Sequence, residues 1–463
     1  MRKIFVFVLV LTVVGLIGGS LVGSFAETRE SLRGTSITIL HPALEYDRIG
    51  FEMFAPRFEK EYGVKVNYEL VPYPKMREKS LLECAKKTGR YDIIGTDCMW
   101  IAEFVMAGYL EEMGQYIRNP ELYDPDLSAI DDFVPRIFAG HGEMEGGIYS
   151  YPFSPGMHML AFSRPVFQAK GLSYPVTFDD FRDVAEKLTD TAKGEYGYIC
   201  QAGRGAEFGH TWLDYMYNFG GELVDENWKA NINSPESLEA LKVLIGLRPF
   251  TPPGTGVFGW DEAITSFESG KAGITMSYAP FNMLYEDPSR TELAGKVDYG
   301  LLPKGPAPRT ALYGSWGAGI SVDSKNKEAA FLFLQFMTSR RYAKEWALKG
   351  GAPSRHHVFA DPDVRRKWRW LKPVYEFMLW YANPDYRPRI PEWAEIADII
   401  GLWGNRAWME EVTPKKALGE MQKEIDVLLK GVGYQDPATA PPQNWRDLSY
   451  YDKLPSEWVG VEY

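Results

Sequence analysis

The sequence predicts an α/β fold built from more than one structural unit, and three observations carry that reading. The chain has 463 residues, beyond the roughly 100 to 200 of one compact domain. Its first polar-to-apolar pattern reads strand, helix, strand, and the same pattern then recurs. Lys and Arg number 51 against 62 Asp and Glu, a net charge of −11. A nucleic-acid binder needs a cation surplus to neutralise phosphate, so that class is excluded.

Residues 1–26 differ from the rest. Arg2 and Lys3 are followed by an almost wholly apolar stretch, 4–17, and a small-residue stretch ending Ser24-Phe25-Ala26. This predicts a secretory signal peptide cut after Ala26. The apolar stretch falls short of the ~20 residues of a membrane span. Loss of Arg2 and Lys3 would take the net charge from −11 to −13. No Cys stands at the cleavage site to take a lipid, so the mature chain is expected free in the periplasm. Cys84, Cys98 and Cys200 are too few and too scattered for a disulfide scaffold or a Cys-based metal site. A Cys84–Cys98 bridge stays open at this point, with three inert buried thiols as the preferred reading.

Ser36-Ile37-Thr38-Ile39-Leu40 is a strand by its β-branched content, followed by a polar loop over 41–48. Phe51, Phe54, Phe58 and Tyr62 lie on one helical stripe that Gly63 ends. Val64, Val66, Tyr68 and Leu70 then alternate as a strand. The unit repeats with a helix over 75–87, a strand Tyr91-Asp92-Ile93-Ile94, a loop through Gly95-Thr96-Asp97, and a helix carrying Trp100, Ile101, Phe104 and Val105. Right-handed crossovers place both loops at the C-terminal edge of one parallel sheet, where open α/β sheets bind ligands. His41, Glu45, Tyr46, Asp97 and Trp100 become candidates by position.

The run 149–155, Tyr-Ser-Tyr-Pro-Phe-Ser-Pro, is extended and suited to crossing between units. Thr177-Phe178-Asp179-Asp180 is a capping box ahead of Phe181, Val184, Ala185 and Leu188. Ser234-Pro235 opens another helix. Residues 272–277 form a strand leading to Tyr278-Ala279-Pro280-Phe281, 320–322 a short strand, and 326–337 a helix apolar on most faces, hence deeply packed. Aromatic residues are dense over 368–408, and Thr413-Pro414 opens the last expected helix. The tail, 433–463, has no period and is expected to lie extended on a domain surface or to be partly disordered.

No catalytic or cofactor motif is present. The six histidines include no pair at zinc-ligand spacing, and there is no P-loop and no Gly-x-Ser-x-Gly elbow. No metal and no cofactor are expected. Two carboxylates suffice for a glycosidase, so a secreted glycoside hydrolase is the alternative class.

The order of short motifs resembles a known family. They are Phe58-Glu59-Lys60-Glu61-Tyr62-Gly63-Val64-Lys65-Val66, Tyr91-Asp92-Ile93-Ile94 with Ala107-Gly108-Tyr109-Leu110, and Tyr151-Pro152 before Ala161-Phe162-Ser163-Arg164. Asn218-Phe219-Gly220-Gly221, Ser269-Gly270-Lys271-Ala272 and Gly317-Ala318-Gly319-Ile320-Ser321-Val322 follow, then Pro388 to Pro391 with Thr413-Pro414. Over 36–430 the chain is similar to the extracellular solute-binding proteins of carbohydrate ABC importers, the maltose-binding-protein-like group.

The resemblance implies a two-lobed periplasmic-binding-protein fold of type II, with a cleft between the lobes and three hinge crossings. One lobe would take 36–150 and 312–358, the other 156–308 and 361–463. It also implies a non-catalytic, monomeric receptor that encloses a small carbohydrate or polyol by hinge closure and delivers it to the importer's membrane permease subunits. A non-sugar solute in the same fold is a further alternative. A sugar ring offers a C–H face to aromatic planes and hydroxyls to charged groups. Carried over by position, the resemblance gives Asp97 and Glu45 as hydroxyl acceptors, Arg204 as donor, and Trp100, Tyr278 and Trp316 as stacking platforms. His41, Tyr46, His210, Trp212, Phe281, Gly317 and Arg355 follow as second candidates, with Trp393 as an outlying one. Trp212, beside Leu213 and Tyr215 in a helical stretch, reads as core before it reads as a platform. Where the family's maltose binders carry a Trp and an Asp, this chain has Thr96 and Met99, so its subsite must differ from theirs.

Overall fold

A computed structural model describes residues 27–461; the expected signal peptide, 1–26, lies outside them. Strand β1 (Ser36–Pro42) leads after two residues into helix α1 (Glu45–Tyr62). The second half of the expected polar loop, 45–48, is therefore helix. Glu45 and Asp47 in its first turn suit the positive helix end, and Arg48 pairs with Glu45 and Glu52. Phe51, Phe54, Phe58 and Tyr62 form the buried stripe. Gly63, at φ 70°, closes the helix with its N–H on the Glu59 carbonyl, a left-handed cap that costs glycine little. Strand β2 (Lys65–Val71), helix α2 (Tyr73–Ala85) and strand β3 (Ile93–Asp97) follow. β1 runs parallel to both β2 and β3.

Beyond helix α3 (Ile101–Met106) and helix α4 (Pro135–Gly142), a small hairpin of β4 (Glu143–Met144) and β5 (Gly147–Ile148) leads into β6 (Tyr151–Ser163), 13 residues long. The second half of the molecule adds α5 (Phe178–Leu188), β7 (Tyr196–Ile199), α6 (Ala206–Asn218), α7 (Pro235–Gly246), α8 (Trp260–Glu268), β8 (Ala272–Tyr278) and β9 (Val297–Gly300). The chain then returns through β10 (Tyr313–Ile320). Both halves of the capping box at Thr177 and Asp180 form, and Ser234 caps α7.

The strand order is β2-β1-β3-β10-β6-β8-β7, with β9 also on β6. β6 holds the two halves together. Tyr151 to Met157 pair with β10, and His158 to Ser163 pair with β8 and β9. The expected crossing at 149–155 is thus the start of one continuous strand. Pro152 and Pro155 lack an N–H for the ladder, and the register slips opposite them, between Trp316 and Gly317.

Helix α9 (Lys327–Met337) is buried from Ala329 onward, and α10 (Arg340–Leu348), α11 (Leu371–Trp380), α12 (Trp393–Trp408) and α13 (Pro414–Gly431) complete the main body. One core joins Phe51, Phe54 and Phe58 to Phe331, Phe333 and Phe336. A larger one runs through α6, α7, α12 and α13. The tail is not a loose extended segment: it ends in a short helix, α14 (Pro455–Val459), and Val459 is buried in the first core. Cys84, Cys98 and Cys200 are buried free thiols. No helix among the described residues is long and apolar enough to cross a membrane.

Candidate functional site

A cavity of about 800 Å³ opens between the two halves. The first half gives it the start of α1 (Glu45, Tyr46), Tyr73 at the start of α2, Asp97 at the end of β3, and Trp316. The second half gives it Glu207 and His210 of α6, Trp260 and Glu262 of α8, and Tyr278 and Phe281 beyond β8. Apart from Trp316 on antiparallel β10 and the residues of α8, these are the C-terminal edges of parallel strands and the helix starts that follow them, the expected ligand position in an open α/β sheet.

Each half presents an aromatic wall. On one side Tyr73 stacks on Trp100 at 5.7 Å and 20°, and Trp316 stands edge-on to both at 5.8 and 5.4 Å. On the other, Trp260 packs against Tyr278 and Phe281 at 5.9 and 5.5 Å. Tyr46 meets Phe281 at 5.8 Å, a contact between the two halves.

The floor is charged. Asp97 is 6% exposed, and its contacts are long: Met99 N at 3.3 Å, Tyr73 Oη at 3.4 Å and Arg387 Nη2 at 3.8 Å. Burial pushes its carboxyl above the usual range, against the pull of Arg387. Arg387 donates to the Tyr313 carbonyl at 2.9 Å and to His210 Nε2 at 3.2 Å. Burial, then Arg387 and His158, hold His210 well below its ordinary value, so its ring is neutral. Since Nε2 accepts, the proton sits on Nδ1. Arg290 also lines the cavity, but Glu268 holds it with two bonds, of 2.8 and 3.1 Å. Six lining carboxylates, Glu45, Asp97, Glu207, Asp261, Glu262 and Asp287, face these two arginines. Carboxylates thus outnumber arginines in the lining.

Of the candidates named from sequence, Glu45, Tyr46, Asp97, His210, Tyr278, Phe281 and Trp316 line this cavity. The others are placed elsewhere. Trp100 is buried behind Tyr73 and supports the wall instead of forming it. His41 is fully buried beneath Trp316, 5.6 Å between ring centroids, with its ring held neutral by burial at a pKa of about 3. Trp212 lies wholly in the core, as its helical neighbours suggested, and Trp393 is buried there too. Arg204 is exposed on the turn before α6. Gly317 faces inward, where a Cβ would come within 2.6 Å of His141 Nδ1 and 2.7 Å of the Tyr151 carbonyl. It permits the close β6–β10 approach and not the approach of a ligand. Arg355 is 1% exposed, and donates to the carbonyls of Thr338, Ala129 and Ser128 at 2.7, 2.9 and 2.6 Å. It rivets the first half from inside.

Sequence reasoning missed Tyr73, Glu207, Trp260 and Arg387. Two left a readable signal. Gly259 followed three residues later by Glu262, whose carboxylate accepts the Gly259 N–H at 2.9 Å, marks a helix start and so a cleft-facing Trp260. Arg387-Pro388-Arg389, flanked by Pro384 and Pro391, marks an irregular proline-rich stretch, and irregular segments carry binding residues disproportionately often.

A family model for bacterial extracellular solute-binding proteins matches residues 48–344. The chain is a member of that family. Among curated relatives, a mannitol-binding protein of Pseudomonas aeruginosa is 24% identical over 417 residues, covering 84% of this chain and 92% of its own. A probable amino-acid ABC transporter periplasmic-binding protein of Sinorhizobium fredii is 25% identical over 427 residues, covering 90% and 96%. Among solved structures, an ABC transporter solute-binding protein of Agrobacterium radiobacter in complex with ribitol is 29% identical, with a TM-score of 0.79, over 86% of this chain and 99% of that one. The fold is therefore the two-lobed periplasmic-binding-protein fold.

Proposed function

We propose that this solute-binding protein captures a small neutral polyol, an alditol or a short sugar, in the cleft, and presents it unchanged to the permease subunits of an ABC importer. The observation that carries this is the floor between two aromatic walls. Asp97 and Arg387 stand 3.8 Å apart, beyond the ~2.7–2.9 Å of a charge-assisted hydrogen bond. A hydroxyl placed between them donates to Asp97 and accepts from Arg387 at once, since it is both donor and acceptor. The apolar C–H faces of the same ligand meet Trp260 and Tyr73. Relatives that bind mannitol and ribitol support the class.

Asp97 and Arg387 also match the ammonium and carboxylate of an amino acid, and one relative is described as an amino-acid binder. Six carboxylates against two arginines disfavour the amino acid's carboxylate, so the polyol is the better fit. Closure would turn the lobes about the strands that join them, β6 and β10. The third crossing is then the stretch 381–392, later than 358–361, because Trp368 Nε1 still donates to Ala347 of the first half at 2.7 Å. Export by the 1–26 leader and a monomeric, non-catalytic chain complete the reading.

The test is a thermal-shift panel of alditols, aldoses, oligosaccharides and amino acids on the mature protein, with every stabilising compound recovered and analysed. Saturating ligand at 100 times its dissociation constant adds about 2.7 kcal/mol. A polyol or sugar recovered intact supports the proposal. A shift with amino acids alone, or a hydrolysed sugar, contradicts it.

A further inference from the structure

The C-terminal tail crosses the back of the molecule and is anchored on both halves. On the second half, Trp228 Nε1 donates to the Pro441 carbonyl at 2.9 Å, Trp445 stands edge-on to Trp228 at 5.5 Å, and Gln443 and Arg446 donate to the Asp225 and Val224 carbonyls at 2.9 and 3.1 Å. On the first half, Asp452 takes a two-pronged bond from Arg136 at 2.7 and 3.1 Å, and Tyr450 donates to Glu143 at 3.0 Å. Ser456 bonds Asp131 through both its N–H and its hydroxyl at 2.9 Å, and Arg118 donates to the Val459 carbonyl at 3.1 Å. Only residues 447–449 separate the two sets of anchors.

Between the anchors the tail touches the stretch that carries the cavity floor. The Tyr451 hydroxyl donates to Asp385, which also pairs with Arg389, and Arg389 donates to the Glu143 carbonyl at 2.5 Å. Arg387, between them in sequence, bonds instead to Tyr313 and His210 at the cavity. The irregular stretch 385–389 therefore carries a contact to the cavity floor and a contact to the tail. No described residue of the tail lines the cavity.

We propose that the tail is a strap that holds the cleft open, so that its tension is part of the free energy a ligand must supply to close the lobes. Rotation about an axis between cavity and strap brings the cleft walls together and draws the two anchor sets apart. The link is short and coiled, with the Ser449 N–H on the Asp447 carboxylate at 3.1 Å and a 3₁₀ turn from Leu448; drawing the anchors apart must unwind it, whereas a longer link need not unwind. Binding then couples to the strap through the closed state, which a ligand favours only by its differential affinity for it. The affinity arm of this inference rests on the polyol reading; the conformational arm does not.

The experiment is a Gly-Ser-Gly-Ser insertion between Arg446 and Asp447 in the full mature chain, which keeps both anchor sets while loosening the link; loops tolerate such insertions well. Small-angle scattering of the ligand-free variant is expected to show a smaller radius of gyration than wild type, moved toward a closed form. Ribitol or D-mannitol is expected to bind at least about fivefold more tightly, the low end of allosteric coupling. Tyr451→Phe, which removes one bond at constant chain length, should move both readings the same way by less, and decides the matter if the insertion fails to fold. Ligand-free scattering identical to wild type in a variant with native near-UV circular dichroism overturns the strap. So does weaker ligand binding. If neither polyol binds wild type, the scattering arm still decides the strap, and the polyol reading alone falls.

Discussion

Replacing Arg387 by Gln removes the guanidinium that faces buried Asp97 at 3.8 Å. At an effective dielectric of 20 that attraction is worth at most roughly 4 kcal/mol, or about three pKa units at 1.36 kcal/mol each. Asp97 already sits above the usual carboxylate range because it is buried, with Arg387 as the first opposing influence. Without it the carboxyl rises further and holds its proton closer to neutral pH. A neutral acid is a poorer acceptor, and a hydrogen bond to a charged group contributes ~1.5–3 kcal/mol. The dissociation constant for the bound polyol should therefore rise about 10- to 150-fold at pH 7. The sign of the pH dependence follows: in the variant, affinity recovers as pH rises and Asp97 ionises, and that recovery lies at higher pH than in wild type, where Arg387 favours the ionised form. Arg387→Lys keeps the charge without the fork and should lose less. Calorimetric titration from pH 6 to 9 reads both effects. A folded Arg387→Gln protein with wild-type affinity and a flat profile would refute the proposed Asp97–Arg387 floor.

Three further outcomes are expected. Trp260→Ala strips one aromatic wall and should weaken polyol binding by about tenfold, with ligand-induced tryptophan quenching reduced in parallel; unchanged affinity would take Trp260 out of the site. Arg355→Met leaves three carbonyls without their buried donor and should cost about 3–5 kcal/mol in denaturant unfolding, while the folded fraction binds ligand as wild type does. A loss of affinity in that fraction would return Arg355 to the cleft. Burial raises Asp47 well above its ordinary value and lowers His41, 3.7 Å away, to about 3. A raised carboxyl gives stability that is lost as pH climbs from about 3.8 toward its folded value, at up to ~1.4 kcal/mol per pH unit. A lowered histidine gives stability that is lost as pH falls from about 6.5 toward 3. Asp47→Asn should flatten the alkaline side of a melting-temperature profile and leave the acid side; an unchanged alkaline side would mean Asp47 is ionised when folded.

Legibility in the sequence followed the range of the interactions. The stripe Phe51, Phe54, Phe58, Tyr62, the Gly63 stop and the Thr177 and Ser234 caps are set within one or two turns, and each formed as read. β3 was read too early and the loop through Asp97 as free. The strand extends to Asp97 because β10 pairs with it antiparallel, Trp316 opposite Asp97, and no local pattern announces a partner some 200 residues on. β10 itself was read as a short strand over 320–322, because Gly314, Gly317 and Gly319 erase the alternation that marks strands. At the site, residues ending the first strands were found by topology alone. Arg355 was misplaced because a charged side chain looks the same in sequence whether its partners are a ligand or buried carbonyls. Arg387 arrives from a late stretch whose path depends on the whole fold.

The most direct measurement is calorimetric titration of the mature protein with ribitol and D-mannitol beside ribonate, mannitol 1-phosphate and a set of amino acids. The account predicts saturable one-to-one binding of a neutral alditol, and at least tenfold weaker binding of its anionic counterpart against the carboxylate-rich cleft. Binding of the acids or amino acids with none of the neutral polyols would contradict it.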